Sequence, residues 1–277
     1  MNLEKESRPG YLILSMTKIT SSSILALGVV LMAAFGGCST GSNASSRSLE
    51  ATAFASPTQL TARLLDASTI ELNWRNNATE DCAYWVEFTT PGSDYVKLDA
   101  VPQNVTTYKH PDLAPETKHV YRILPFFGRP TPAVALTTGK VTEGVTNIDE
   151  EGPLPALPGK KDDAPKQSIR HLSTIAAAAP TGLTVTLSSP TSADLRWKDR
   201  ARDEDGFVVE VAADEKGPYQ VCALLDPNTT SFRKAHLPPE FKVYFRVRAF
   251  FYGKPSAEAT ATTPAEPVSK SPAPEAK

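Results

Sequence analysis

The stretch WKDRARDEDGFVVE, residues 197–210, has an echo earlier in the chain, WRNNATEDCAYWVE, residues 74–87. Each starts on a Trp, runs through a polar loop, meets an aromatic and ends on Val-Glu. Trp74 to Trp197 and Glu87 to Glu210 share one offset of 123 residues. A repeat of this kind decides architecture before any single residue does.

Around both anchors the apolar residues alternate. Leu60, Ala62 and Leu64, then Ile70, Leu72 and Trp74, then Tyr84, Val86 and Phe88, then His119, Tyr121 and Ile123 point one way in the first repeat. Leu183, Val185 and Leu187, Ala193, Leu195 and Trp197, Phe207, Val209 and Val211, and Val243, Phe245, Val247 and Ala249 do so in the second. Period-two alternation over short runs, with Pro and Gly between them, is the pattern of half-buried strands. Seven such strands per repeat predict an all-β protein of two immunoglobulin-like antiparallel β-sandwiches.

On the residues Pro180, Leu183, Trp197, Glu204-Asp205-Gly206-Phe207, Leu237, Pro239 and Tyr244 to Ala249, the second repeat resembles fibronectin type III domains of the bacterial secreted kind. The first is similar on Pro57, Leu60, Trp74, Leu113-Ala114-Pro115 and Tyr121-Arg122-Ile123. Two departures stand out. The position of the family's tyrosine-corner Tyr holds His119 and Val243, so the hydroxyl tie to upstream backbone is missing or replaced. Cys82-Ala83 stands where the second repeat has Asp205-Gly206, so that turn lacks glycine's freedom at positive φ.

The domain boundaries follow. Residues 55–140 and 179–263 are the sandwiches, together about three fifths of the chain. Residues 141–178 mix acids, bases and prolines and read as a long disordered linker, with Leu154, Leu157 and the run 172–178 able instead to dock on a domain or form one short helix. Residues 264–277, rich in Pro, Ala, Glu and Lys, are expected to be a disordered tail.

Residues 24–35 form an uncharged apolar run of twelve, short for a bilayer span and the right length for a secretory core. It ends in Gly36-Gly37-Cys38, which resembles the lipobox of bacterial lipoproteins; Phe35 stands where Leu is usual. The resemblance implies a signal peptide over 1–37, lipidation of Cys38 by acyl chains of the palmitate kind, and a flexible Ser/Thr/Gly/Asn-rich tether over 38–54. Met16, with Lys18 as its charge, makes a cleaner start than Met1. Ser39 after the cysteine, by diderm sorting rules, implies the outer membrane; without lipidation the protein would be secreted.

Composition excludes several classes. With 29 basic and 31 acidic residues the net charge is −2, which gives no footprint for nucleic acid. Three cysteines, one of them Cys38, cannot build a disulfide framework, and Cys82 and Cys222 fall one to each repeat as free thiols. No phosphate loop, Gly-x-Ser-x-Gly, His-Glu-x-x-His or Cys-x-x-Cys is present, so no cofactor and no catalysis are expected. The four histidines are scattered, and inward-facing His119 is expected to be a satisfied core residue. The acids Asp199, Asp203, Glu204 and Asp205 could ligate calcium, but fit better as turn-capping groups.

The sharpest lead is the outward face of the third and sixth strands. It should show Trp85, Arg122, Leu124 and Phe126 in the first repeat, and Tyr244, Arg246 and Phe250 in the second. Large apolar residues on a face that ought to be solvated mark a partner site for an envelope or extracellular protein or glycan. The other readings are cross-strand cover, with Trp85 stacked on Arg122, and packing under the linker or the other domain. The expected function is a noncatalytic, envelope-anchored protein- or glycan-binding or adhesion module; the alternatives are a structural spacer or assembly component of the envelope without its own ligand site, and an accessory module of an envelope hydrolase system.

Overall fold

The structure, a computed structural model, describes residues 12–13, 42–144, 150–155 and 164–265. Its elements run β1 (Leu12–Ile13), α1 (Ser42–Ala53), β2 (Thr58–Leu64), β3 (Ile70–Arg75), β4 (Cys82–Thr89), β5 (Val96–Pro102), β6 (Thr107–His110), β7 (Lys118–Phe127) and β8 (Val134–Thr137). The second repeat supplies β9 (Thr181–Ser189), β10 (Ser192–Lys198), β11 (Gly206–Ala212), β12 (Gln220–Leu225), β13 (Ser231–Lys234), β14 (Lys242–Tyr252) and β15 (Ala259–Thr262). Seven strands per repeat, all antiparallel, agree with the alternation: Ile70, Leu72 and Trp74 are buried and their neighbours are not.

Among the described residues each repeat has one three-stranded sheet, β2-β3-β6 and β13-β10-β9. The other sheets join into a single nine-stranded sheet along the path β1-β12-β11-β14-β7-β4-β5. The join is an exchange of last strands. β8, the end of the first repeat, pairs with β14 of the second, and β15, the end of the second, pairs with β7 of the first. Between them β7 and β14 meet at Phe127↔Phe251 and Phe126↔Tyr252.

The exchange is reciprocal down to single hydroxyls. Thr131 N–H donates to the Val247 carbonyl at 2.8 Å, and its Oγ1 accepts from Val247 N–H at 3.1 Å. Across the pseudo-twofold, Ser256 N–H donates to the Ile123 carbonyl at 2.9 Å, and its Oγ accepts from Ile123 N–H at 3.0 Å. At the strand ends Thr138 Oγ1 donates to the Pro238 carbonyl at 2.6 Å and accepts from Phe241 N–H at 2.8 Å. Thr263 Oγ1 does the same with the Ala114 carbonyl at 2.6 Å and Thr117 N–H at 3.0 Å. The corner lacking a tyrosine tie is thus tied by a threonine from the other repeat.

Two expectations need correction. Residues 42–53 of the expected tether form α1, because it has somewhere to end: Ala53 is buried, and the Phe54 ring lies 5.1 Å from Phe127 and 5.2 Å from Phe251, wedged at the crossover. The described parts of the expected disordered linker are docked. Gly152 bridges to Arg233, Glu151 is buried in an ion pair with Lys234 and accepts from Ala235 N–H at 3.1 Å. Ile169, Ile175 and Ala178 enter the main core fully buried. Docking wins because these apolar residues find a core and the neighbouring polar groups find partners, offsetting the ordering entropy. Apart from Leu12–Ile13, the expected signal segment, Cys38 included, lies outside the described residues, as do residues 266–277 of the expected tail. No helix among the described residues is long and apolar enough to cross a membrane.

Candidate functional site

The expected binding face is not exposed. Trp85 and Phe126 have no accessible surface, Phe250 keeps 1% and Leu124 9%. They form a second core with Ala83, Val208 and Val221, against which Ala100, Leu224 and Tyr252 pack. Crossover at β7 and β14 folds the outer faces of the two sheets onto each other, so each repeat covers the apolar stripe of its partner. The Trp85 ring lies 5.5 Å from Phe126, and Phe126 the same distance from Phe250. Of the readings above, packing under the other domain is the one the geometry carries.

The polar members of that face are equally engaged, in a motif found twice. Arg122 Nε donates to Glu87 at 2.7 Å, and its guanidinium lies 3.7 Å above the Tyr95 ring. Arg246 Nε donates to Glu210 at 2.6 Å and lies 3.9 Å above Tyr219. Glu87 and Glu210 are nearly inaccessible, so each carboxylate is paired in low dielectric rather than left as a surface charge. The expected Trp85–Arg122 stack is corrected: Arg122 takes Tyr95, and the cation over Trp85 is Lys97, 5.7 Å from its ring. Tyr244 is half-buried beneath Lys242 at 5.0 Å.

The acidic loop of the opening stretch anchors the docked linker. Asp199 pairs with Lys166; Asp203 accepts from Ser168 Oγ at 2.6 Å and Ile169 N–H at 2.8 Å; Asp205 accepts from Arg170 at 2.5 Å and Tyr252 N–H at 2.8 Å. Glu204 accepts from Asn228 N–H at 3.0 Å. Apart from Glu204 Oε2, which is buried without a partner, these oxygens hold protein donors, and among the described residues no group of three or more His, Cys, Asp or Glu side chains could hold a metal ion.

His119 is buried as expected but not satisfied: neither ring nitrogen has a hydrogen-bond partner. It shares the first sandwich with His110, whose Nδ1 lies 3.0 Å from the Tyr121 hydroxyl. Burial holds both histidines below the usual imidazole range, with His119 adding to the effect on His110. Cys82 and Cys222 are free and buried, and burial pushes their thiols up to about 11 and about 12. A reactive thiol has a lowered pKa and an open approach, and these have neither.

One concavity was not legible in the sequence. Between the repeats lies a cleft of about 490 Å³, lined by Asp81, Ala83, Asn104, Tyr219, Arg246 and Arg248 among others. Arg248 is 2% exposed, donates from Nη1 to the Gly128 carbonyl, and lies 3.3 Å from Asp81 and 3.6 Å from Glu210. Its Nε has no partner. Burial opposes its charge, but the Glu210 and Asp81 carboxylates outweigh that and hold its pKa above the ordinary arginine value.

The strand order and register define the class: a nearly all-β chain of two immunoglobulin-like, fibronectin type III-like antiparallel sandwiches. Comparison with solved structures finds fibronectin type III proteins. A two-domain fibronectin type III segment of chicken tenascin is 16% identical, covers 75% of this chain and 99% of its own, with a TM-score of 0.24. The FN1–FN3 domains of chicken CNTN1 are 14% identical, with 76% and 98% coverage and a TM-score of 0.24. No family model matches the chain, and no curated protein matches it. At such scores the likeness carries no argument about function.

Proposed function

We propose that this chain is a noncatalytic structural component of the bacterial cell envelope, a spacer lipid-anchored through Cys38 whose two sandwiches act as one fixed body. The observation that carries the reading is the reciprocal exchange of β8 and β15. Separating the sandwiches would require both strands to leave their sheets and the apolar core around Trp85 to open to water. Two independent modules on a tether would need neither. The face that supported an external partner is the face that joins the repeats, so the binding-module reading loses its surface.

The anchor and the fixed body are tested together. Cys38→Ser should move the protein from the membrane to the soluble fraction; unchanged fractionation would refute the anchor. In that background the remaining thiols are buried, so labels placed by Leu64→Cys and Leu187→Cys, which are 38% and 45% exposed, report one inter-sandwich distance. A single narrow distribution by pulsed electron spin resonance is expected. A broad or bimodal one would refute the fixed body.

A further inference from the structure

β5 and β12 hold the same place in the two repeats, each as the outer strand of its half of the nine-stranded sheet. At an offset of 124 residues, Lys97, Asp99 and Pro102 of β5 correspond to Val221, Ala223 and Asp226. β12 itself reads Gln220-Val221-Cys222-Ala223-Leu224-Leu225, with no charge and no proline. Both strands carry the same irregularity, since the ladder passes over Leu98 in β5 and Cys222 in β12, so that feature belongs to the fold. What differs is the defence of the edge. Charged side chains and proline keep an edge strand from pairing with another chain, and β5 has both. Asp99 also accepts from Ala100 N–H at 2.7 Å, so one backbone donor of β5 is taken by its own side chain. Ala223, in the place of Asp99, has no acceptor to offer Leu224.

The structure shows what the undefended edge takes. Leu12–Ile13 lies against β12 as β1, antiparallel, with Leu12 opposite Leu224 and Ile13 opposite Ala223. Leu224 is the residue whose counterpart in β5 is capped. Among the described residues β1 is the only strand on that side of β12, and it covers two of its six residues. Val221, Cys222, Ala223 and Leu225 are buried, so what β12 presents there is chiefly backbone N–H and C=O. The edge of β13, by contrast, is closed by Gly152, which bridges to Arg233. Leu12 and Ile13 belong to the segment that the lipid-anchor reading removes with residues 1–37.

We propose that, once residues 1–37 are removed, β12 pairs with β12 of a second copy of this chain, two-fold and antiparallel, joining the two sheets into one. The proposal rests on the anchor reading only in needing that segment gone. A two-fold axis through β12 sets the strand antiparallel to itself, the direction in which β1 is seated. The partner must bring an extended edge free of charge; β12 is such an edge, so each copy satisfies the unpaired groups of the other. Lys97, Asp99 and Pro102 exclude β5 as the partner, and this closes the assembly at two copies, because a head-to-tail contact of β5 with β12 would propagate. Copies anchored in one membrane share a surface, which raises their effective concentration and favours the pair.

The test is sedimentation equilibrium of the protein extracted from the membrane fraction in density-matched detergent, at up to about 1 mM, the scale of effective concentration for tethered partners, with its intact mass read alongside. A chain whose mass lacks residues 1–37 should be a dimer, with amide exchange slowed in β12 and unchanged in β5 relative to the diluted monomer. Leu224→Lys, at a half-buried position, and Val221→Lys, which installs the residue of the first repeat, should each weaken the dimer by about tenfold or more, since two-fold pairing puts the new charge on both edges. Thermal midpoints report whether the variants fold; should Val221→Lys fail to, Leu224→Lys decides. If the mass shows residues 1–37 retained, the anchor reading fails by itself, and the chain should be monomeric until Leu12→Pro with Ile13→Pro frees the edge. A monomer in the freed form, however it is freed, or a dimer unweakened by folded Leu224→Lys, would overturn the proposal.

Discussion

Replacing Trp85 by Ala separates the two readings of the outward face most sharply. On a solvated binding face the substitution would cost little stability and abolish a partner's grip. The Trp85 ring is instead fully buried, packed against Phe126 at 5.5 Å and beneath Lys97 at 5.7 Å. A buried Trp removes about 150–250 Å² from water, worth about 4–6 kcal/mol at about 25 cal/mol per Å². The indole Nε1–H has no partner, which takes back about 1–3 kcal/mol. The net, about 3 kcal/mol, sits at the lower edge of the usual cost of Trp→Ala in a core, about 3–5 kcal/mol. At about 2–4 °C per kcal/mol for a body of this size, Trp85→Ala should lower the thermal midpoint by about 6–12 °C. Far-UV circular dichroism reads the shift, with Leu187→Ala, at a 45% exposed position, as a control that should move little. Because the sandwiches share strands, the transition should stay single. A drop below about 2 °C, or a split into two transitions of which one is unmoved, would refute the shared core.

Two further outcomes follow from buried groups. Burial depresses the folded-state pKa of His119 and His110, so the unfolded chain binds protons that the folded one refuses. Their stability contribution is complete above the unfolded value of about 6.5 and is lost as pH falls from there towards the folded values. The midpoint should therefore drop between neutral pH and about pH 5, and His119→Val, which installs the residue of the second repeat, should shrink the drop; an unchanged drop in the variant would exclude His119 as its source. Thr263→Val removes the hydroxyl tying the end of β15 to Ala114 and Thr117, and should cost about 1–3 kcal/mol while speeding amide exchange in the facing part of β7. Unchanged exchange there would show that the tie does not hold the exchanged strand.

The strands were legible because a half-buried strand writes itself as period two, and the sequence of β3 does so without interruption from Ile70 to Arg75. The same alternation showed that Trp85, Leu124, Phe126 and Phe250 needed cover. It could not show what covers them, since a side-chain period reports a face and not the neighbour opposite. One local signal did point further. Phe126-Phe127 and Phe250-Phe251 put aromatics on both faces of one strand, and adjacent strand residues point opposite ways, so both faces had to be buried there. The connectors that follow, Gly128-Arg129-Pro130-Thr131-Pro132 and Gly253-Lys254-Pro255, lack the two-residue turn signals of a tight hairpin and carry the chain across. The linker was misjudged for a different reason: its charges read as solvated because their partners, Asp199, Asp203, Asp205 and Lys234, lie far away in sequence.

A duplicated chain supplies its own control for what folding requires. Glu87, Arg122 and Tyr95 recur as Glu210, Arg246 and Tyr219 with the same geometry, so that stack belongs to the fold. Trp85, Leu124 and Tyr252 do not recur; Val208, Arg248 and Gly128 stand in their places. Folding alone would favour the filled version on both sides, because a cavity destabilises; each version leaves one buried donor without a partner, Trp85 Nε1 on the one side and Arg248 Nε on the other. The chain builds that version once and departs from it once, and of the departing positions Arg248 lines the cleft between the repeats. Local rules broken together at one place, without gain to the fold, are where a function other than folding should be sought.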